Sequence, residues 1–95
     1  MASYRLSDRA LADLERLYER GVLNFGLRLA DEYYDGLTAR MQGIADHPEL
    51  YPAVDYIRKG YRRSVYGVDS IYYRIEAQGV EIVRVLGRQD SARSL

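Results

Sequence analysis

The side chains in this 95-residue chain with the strongest capacity for chemistry are its arginines and tyrosines. Thirteen of the fourteen basic residues are arginine, Lys59 being the lone lysine, and there are ten tyrosines against one phenylalanine. Guanidinium forks bind phosphates and carboxylates in a bidentate way and stack on rings, which an ammonium does less well. Codon usage in a GC-rich genome is the alternative source of such a bias. Arg62, Arg74 and Arg84, with Tyr72, fall in three strand-like runs of the second half, and Arg88 follows them. Grouped on one exposed sheet face, they would suit RNA stacking with phosphate contact, or the docking of a protein segment. The structural alternative is local pairing, with Arg74 against Glu76 or Glu81.

Other chemistries are poorly provided for. With no cysteine there is neither a disulfide framework nor a thiolate nucleophile or metal site. The single histidine, His47, precedes Pro48 and reads as a helix-end residue, and no phosphate-binding glycine loop or serine elbow is present. The carboxylates Asp8, Asp13, Glu15, Glu19, Asp31, Glu32 and Asp35 are dense enough to read as a solvated helix face rather than an acid–base pair. Formal net charge is zero, yet residues 1–55 hold six arginines against ten acids, and residues 56–95 eight bases against four acids. That split predicts a surface for an acidic partner or a nucleic acid. No apolar run approaches the ~18 residues needed to cross a bilayer, and a cytoplasmic protein is expected.

The elements that must position these residues are legible as periodicity. Tyr4-Arg5-Leu6 reads as a short extended segment, and Ser7 as the N-cap of a helix over Asp8–Arg20, with Leu11, Leu14, Leu17 and Tyr18 on its apolar stripe. Gly21 stands where a C′ glycine would end it. A longer helix starts near Asn24 and carries Leu27, Ala30, Tyr33, Tyr34, Leu37, Met41, Ile44 and Ala45 on one stripe. His47-Pro48 stops it. Gly36 and Gly43 would let the first helix approach closely, making an α-hairpin. Residues 48–59 hold both prolines and read as a loop pinning Leu50, Tyr51 and Ile57 against the core.

The runs Tyr61–Tyr66, Ser70–Glu76 and Val80–Leu86, separated by turns at 67–69 and 77–79, predict an antiparallel meander. Period two puts Ile71, Tyr73 and Ile75 on one face, and Ser70, Tyr72, Arg74 and Glu76 on the other. It likewise sets Glu81, Val83 and Val85 opposite Ile82, Arg84 and Leu86. Adjacent Arg62 and Arg63 mark the first run as an edge strand, and the tail from Arg88 to Leu95 has marginal helix character. The expectation is one α+β domain over 1–95: an N-terminal strand, then an α-helical hairpin packed on a C-terminal three-stranded meander.

Over its whole length the chain resembles the RelE/ParE toxins of bacterial toxin–antitoxin pairs. Tyr4-Arg5-Leu6-Ser7 with Ala10, Asp13 and Leu14 looks like the family's opening strand and first helix. Phe25-Gly26 with Ala30 and Leu37 resembles the start of its second helix, and His47-Pro48 its end. Gly60-Tyr61-Arg62-Arg63, Ile71-Tyr72-Tyr73-Arg74 and Val80 to Leu86 look like the closing strands, and Arg88-Gln89-Asp90 with Leu95 like the ParE tail. RelE-type members are ribosome-dependent mRNA endonucleases that keep basic residues and a tyrosine or histidine on the meander and near the C-terminus. Here Ser64, Ser70 and Gly87 stand at such places, and no tyrosine follows Tyr73. Arginine, with its pKa above 12, is a poor proton shuttle at neutral pH. The resemblance to ParE therefore implies a non-enzymatic toxin, without cofactor or metal, that poisons DNA gyrase and is neutralised by a ParD-like antitoxin. That antitoxin has a ribbon-helix-helix DNA-binding part and a C-terminal tail that wraps the toxin, giving a hetero-oligomer. Sequence-specific DNA binding is not expected of this chain. A groove between hairpin and sheet would take the tail, helix against hairpin and an extended piece crossing or augmenting the sheet. Arg62, Tyr72, Arg74, Arg84 and Arg88, with Leu14, Tyr18 and Tyr34 on the helices, are the candidate contacts for antitoxin or target. A RelE-type nuclease is the alternative activity, and a member of the fold with another target or no toxicity is a third.

Overall fold

The computed structural model describes residues 2–87 and 95. Its elements follow in the order β1 (Tyr4–Leu6), α1 (Asp8–Phe25), α2 (Leu27–Asp46), β2 (Arg62–Tyr66), β3 (Asp69–Glu76) and β4 (Gly79–Gly87). The three C-terminal strands form the expected antiparallel meander. The short first strand joins it in parallel beside β4, giving a four-stranded sheet in the order β1-β4-β3-β2. β2 is an edge strand, as the adjacent arginines implied.

Ser7 caps α1 as its position predicted. Its hydroxyl oxygen accepts from the Ala10 N–H at 3.0 Å and its O–H donates to the Val83 carbonyl at 2.8 Å, tying helix start to sheet. The helix does not stop at Gly21. It runs on to Phe25, and Gly26, at φ 88°, makes the turn into α2. Gly21 lies instead at the contact between the helices: a Cβ there would touch the Ala30 Cβ at 3.4 Å. That role had been expected of Gly36 and Gly43. Gly36 instead faces β2, where an added Cβ would overlap the Tyr66 hydroxyl, and Gly43 faces open space. α2 ends at His47, whose N–H still reaches the Gly43 carbonyl before Pro48 ends the ladder.

Ala10 and Leu14 of α1 and Leu37, Met41, Ile44 and Ala45 of α2 pack on Ile71, Tyr73, Val80, Ile82 and Val85 of the sheet. This set departs from simple alternation on β4. Tyr72 pairs with Arg84 but Tyr73 with Ile82, so Val83 is the extra residue of a bulge. The bulge shifts the parity, and Ile82 and Val85 both enter the helix-side core instead of facing opposite ways.

The second face of the sheet is covered as well. Val54 and Ile57, from the segment between α2 and β2, pack with Tyr61 and Leu95 on Tyr72 and Leu86. The segment is stitched down by a bridge between Ala53 and Arg62 and by bonds from the Val54 N–H to the Tyr61 carbonyl and from the Arg63 N–H to the Pro52 carbonyl. Tyr51 packs on the helix-side core, but Leu50, expected to be pinned, is exposed.

Candidate functional site

Between the hairpin and the β2–β3 turn lies a groove of about 560 Å³. Leu17, Tyr18 and Phe25 of α1 line one wall, Leu29 and Tyr33 of α2 the other, and Val68 closes the far side. Phe25, Leu29 and Val68 are 69%, 43% and 73% exposed, so apolar surface remains open to water where a core would bury it. Leu23 and Leu27 extend that surface over the hairpin tip.

Polar bonds brace the groove. The Tyr18 hydroxyl donates to Asp31 at 2.6 Å across the hairpin, and its ring meets Tyr34 edge-on at 5.7 Å. The Tyr33 hydroxyl reaches Asp69 at 2.8 Å and the Tyr66 carbonyl at 3.0 Å, fastening α2 to the β2–β3 turn. Burial and the Asp69 carboxylate push the Tyr33 phenol well above its ordinary value. Gly67, at φ 57°, has the Tyr33 ring where its Cβ would be, so the turn closes over that ring only because residue 67 is glycine.

The floor is charged and buried. Asp13, expected on a solvated face, is 3% exposed and accepts from Arg84 Nε at 2.8 Å, Arg84 Nη2 at 3.0 Å, the Val85 N–H at 3.0 Å and Arg16 Nη2 at 2.6 Å. Burial alone would raise its carboxyl, but the bonds from Arg84, Val85 and Arg16 outweigh this and hold it below the ordinary value.

This geometry redistributes the candidate residues. Leu14 is buried in the core and Tyr34 is half-buried behind Tyr18; of the helical candidates only Tyr18 lines the groove. The exposed sheet face of arginines and tyrosines does not exist as expected. Tyr72 is fully buried beneath Val54, and Arg84 is buried against Asp13. Arg62 donates to the Tyr51 carbonyl at 2.7 Å and holds the covering segment. Arg74 is half-exposed and takes the alternative considered for it: it bonds Glu81 at 2.7 Å, and Arg5 completes the cluster with a two-pronged bond to Glu76 and a contact to Glu81 at 3.2 Å. Arg88 and the rest of the tail up to residue 94 lie outside the described residues. The groove's main apolar residues, Phe25, Leu29 and Val68, were not singled out as contacts. The available signal was the density of large apolar side chains around Gly26 (Leu23, Phe25, Leu27, Leu29), more than one helix stripe can bury.

Known proteins share this chain's sequence and shape. The family described as ParE toxin of type II toxin-antitoxin system, parDE, matches residues 4–92. Toxin ParE1 of Caulobacter vibrioides is 37% identical over 94 residues, covering 99% of this chain and 97% of that protein. Toxin ParE1 of Mycobacterium tuberculosis is 34% identical over 94 residues, covering 97% and 96%. A solved structure, the chromosomal ParDE TA system from P. aeruginosa, superposes with a TM-score of 0.78 at 18% identity, over 92% of this chain and 96% of that one. With a family match spanning nearly the whole length and relatives matched end to end, this chain belongs to the ParE toxins of type II toxin–antitoxin systems.

Proposed function

We propose that the chain inhibits DNA gyrase by binding rather than by catalysis, that it acts in the cytoplasm, and that a ParD-like antitoxin silences it by laying an amphipathic helix in the groove of the hairpin. The observation that carries the antitoxin part is the open apolar groove between α1, α2 and the β2–β3 turn, which has the shape and lining of a helix-in-groove site. Family membership supports the gyrase part. The RelE-type alternative loses ground on the sheet, where Tyr72 is buried and Arg84 and Arg74 are engaged by Asp13 and Glu81, so they form no open cradle for an mRNA phosphate.

Gyrase tests the target. ATP-dependent accumulation of cleaved plasmid in the presence of the purified chain is expected, whereas mRNA cleavage in a translation extract with normal supercoiling would overturn the reading. The groove is tested with the antitoxin's C-terminal segment. Leu29→Asp places a charge in the apolar wall and should weaken binding at least about tenfold, or about 1.4 kcal/mol. Unchanged affinity would remove the tail from the groove.

A further inference from the structure

We propose that this chain, when no antitoxin occupies the groove, pairs with a second copy of itself through the hairpin tip. The contact surface is formed by Leu23, Phe25, Leu27 and Leu29, with Val68 across the groove. The inference goes beyond the gyrase reading and stands whether or not gyrase is the target. Only the exclusion of antitoxin rests on the groove reading; the pairing itself does not.

The tip is set apart by clustering. Among the described residues, four of the ten exposed large apolar side chains fall within residues 23–29, with Leu23 85% and Leu27 61% exposed beside Phe25 and Leu29. Val68, on the β2–β3 turn, lines the same groove as Phe25 and Leu29. At roughly 150–200 Å² per residue, these five leave about 550 Å² of apolar surface in water. A monomer rarely keeps contiguous apolar surface of that size without a use for it. Homodimer interfaces are about 65% apolar, so a patch this large belongs to an interface of about 850 Å² per partner, or about 1,700 Å² in all. That is the size of a specific, stable complex.

Charge and shape select the occupant. In a two-fold contact the residues on the axis meet their own copies, so a charge there faces itself. Residues 21–27 are the longest stretch of the sequence without Asp, Glu, Lys or Arg, and they form the tip. The rim carries both signs, Glu19 and Arg20 on α1 and the Arg28–Glu32 pair at 3.1 Å on α2, so cation meets carboxylate across the axis. The surface also complements itself. Leu23 and Leu27 lie outside the groove lining and form a ridge beside it, and one symmetric contact seats the ridge of each copy in the groove of the other. Pairing through the β2 edge is obstructed, because Arg40 already holds the Val65 carbonyl at 2.9 Å. An anionic membrane fits the tip less well, since Glu19, Asp31, Glu32 and Asp35 stand on the same hairpin and repel it.

The test is sedimentation velocity of the purified full chain from about 1 µM to about 200 µM, where a monomer–dimer equilibrium with a dissociation constant in about the micromolar range is expected. Leu23→Asp enters a two-fold contact twice, so a tenfold loss on each side should raise that constant about a hundredfold. Leu27→Asp should act alike. Leu50→Asp, at a leucine 69% exposed beyond the far end of α2, leaves the equilibrium unchanged. Circular dichroism checks that each variant is folded. A monomer at every concentration overturns the proposal. So does a dimer that survives both tip variants, or one lost equally with Leu50→Asp. Co-sedimentation of a monomeric chain with phosphatidylglycerol vesicles, abolished by Leu23→Asp, overturns it in favour of a membrane surface. Failure of the antitoxin segment to bind the groove leaves all these readouts as they are, so the two readings fail separately.

Discussion

Replacing Asp13 by alanine should destabilise this domain more than any surface change. The carboxylate receives two hydrogen bonds from Arg84, one from the Val85 N–H and one from Arg16, in a setting where it and Arg84 are 3% and 8% exposed. Removing it takes from the buried Arg84 guanidinium the carboxylate that holds its Nε and Nη2, and from a buried N–H its acceptor. One ion pair near 4 Å at an effective dielectric of about 20 attracts by about 4 kcal/mol. The cost of desolvating the pair offsets much of that in the intact protein, but it is not refunded when a single partner is removed, so the expected loss is about 3–5 kcal/mol. For a domain whose total stability is on the order of 5–10 kcal/mol, this lowers Tm by at least about 12 °C. Urea melts of Asp13→Ala, Arg84→Met and the double variant give the coupling. The double variant should recover at least about 1.5 kcal/mol relative to Asp13→Ala, because the buried cation is removed together with its carboxylate. The pH dependence has a definite sign. Since the folded carboxyl titrates below its ordinary 3.8, the stabilisation is present above that value and is lost as pH falls through the lower folded value. A loss under about 1 kcal/mol, or additive single variants, would refute the reasoning and mean that water reaches the pair.

Two further outcomes follow from the packing. Gly43→Ala, into open space on α2, should stabilise by up to about 1 kcal/mol through helix propensity, whereas Gly36→Ala on the same helix should cost about 1–3 kcal/mol, because its Cβ overlaps the Tyr66 hydroxyl; equal urea midpoints for the two variants would contradict this. At alkaline pH the buried Tyr73 phenol, which donates to the Pro48 carbonyl at 2.6 Å, is pushed up by burial to about 12. Its stabilisation is fully present below the unfolded value of 10.0 and is lost as pH rises from there through about 12. Phenolate absorbance and thermal melts over that window check it, with Tyr73→Phe expected to flatten the loss.

The elements were legible because their signals are local. Ser7 announces a helix start, Pro48 a helix end, and the two turns at 67–69 and 77–79 divide three runs of alternating residues. What failed depended on contacts distant in sequence. Gly21 has the same local signature as a helix stop, and only the position of Ala30 on the other helix makes it a packing residue. The bulge at Val83 cannot be read from β4 alone, since it exists in the pairing with β3, and it inverts the face assignment on one side of it. Asp13 looks like any exposed helix carboxylate until β4 brings Arg84 to it across 71 residues. The supposed arginine–tyrosine face failed for the same reason: nothing in the pattern of the strands says that Val54 and Ile57 fold back over Tyr72. The candidate site was legible as a place, the space between hairpin and sheet, and only Tyr18 was legible as one of its residues.

The filled sheet also decides how a partner can bind. On the outer edge of β4, beyond the three residues paired with β1, the Val83 carbonyl accepts from Ser7 and the Val85 N–H donates to Asp13. On the outer edge of β2, residues 52–54 pair with the strand start, and Arg40, held between the Tyr51 and Tyr66 rings at 5.6 and 5.2 Å, donates to the Val65 carbonyl at 2.9 Å. A strand added to either edge must first displace these bonds, two of them charge-assisted, whereas a helix entering the groove displaces only water from Phe25, Leu29 and Val68. Edge protection of this kind keeps the sheet from templating aggregation. Here it also concentrates the readily buried surface at the hairpin, so the proposed antitoxin segment is expected to gain most of its affinity from an amphipathic helix and little from β-augmentation. Isotope-edited amide spectroscopy of a labelled antitoxin segment on the unlabelled toxin measures this directly. A helical signature that is lost with Leu29→Asp fits the argument, and a dominant extended signature insensitive to that change would place the segment on a sheet edge and break it.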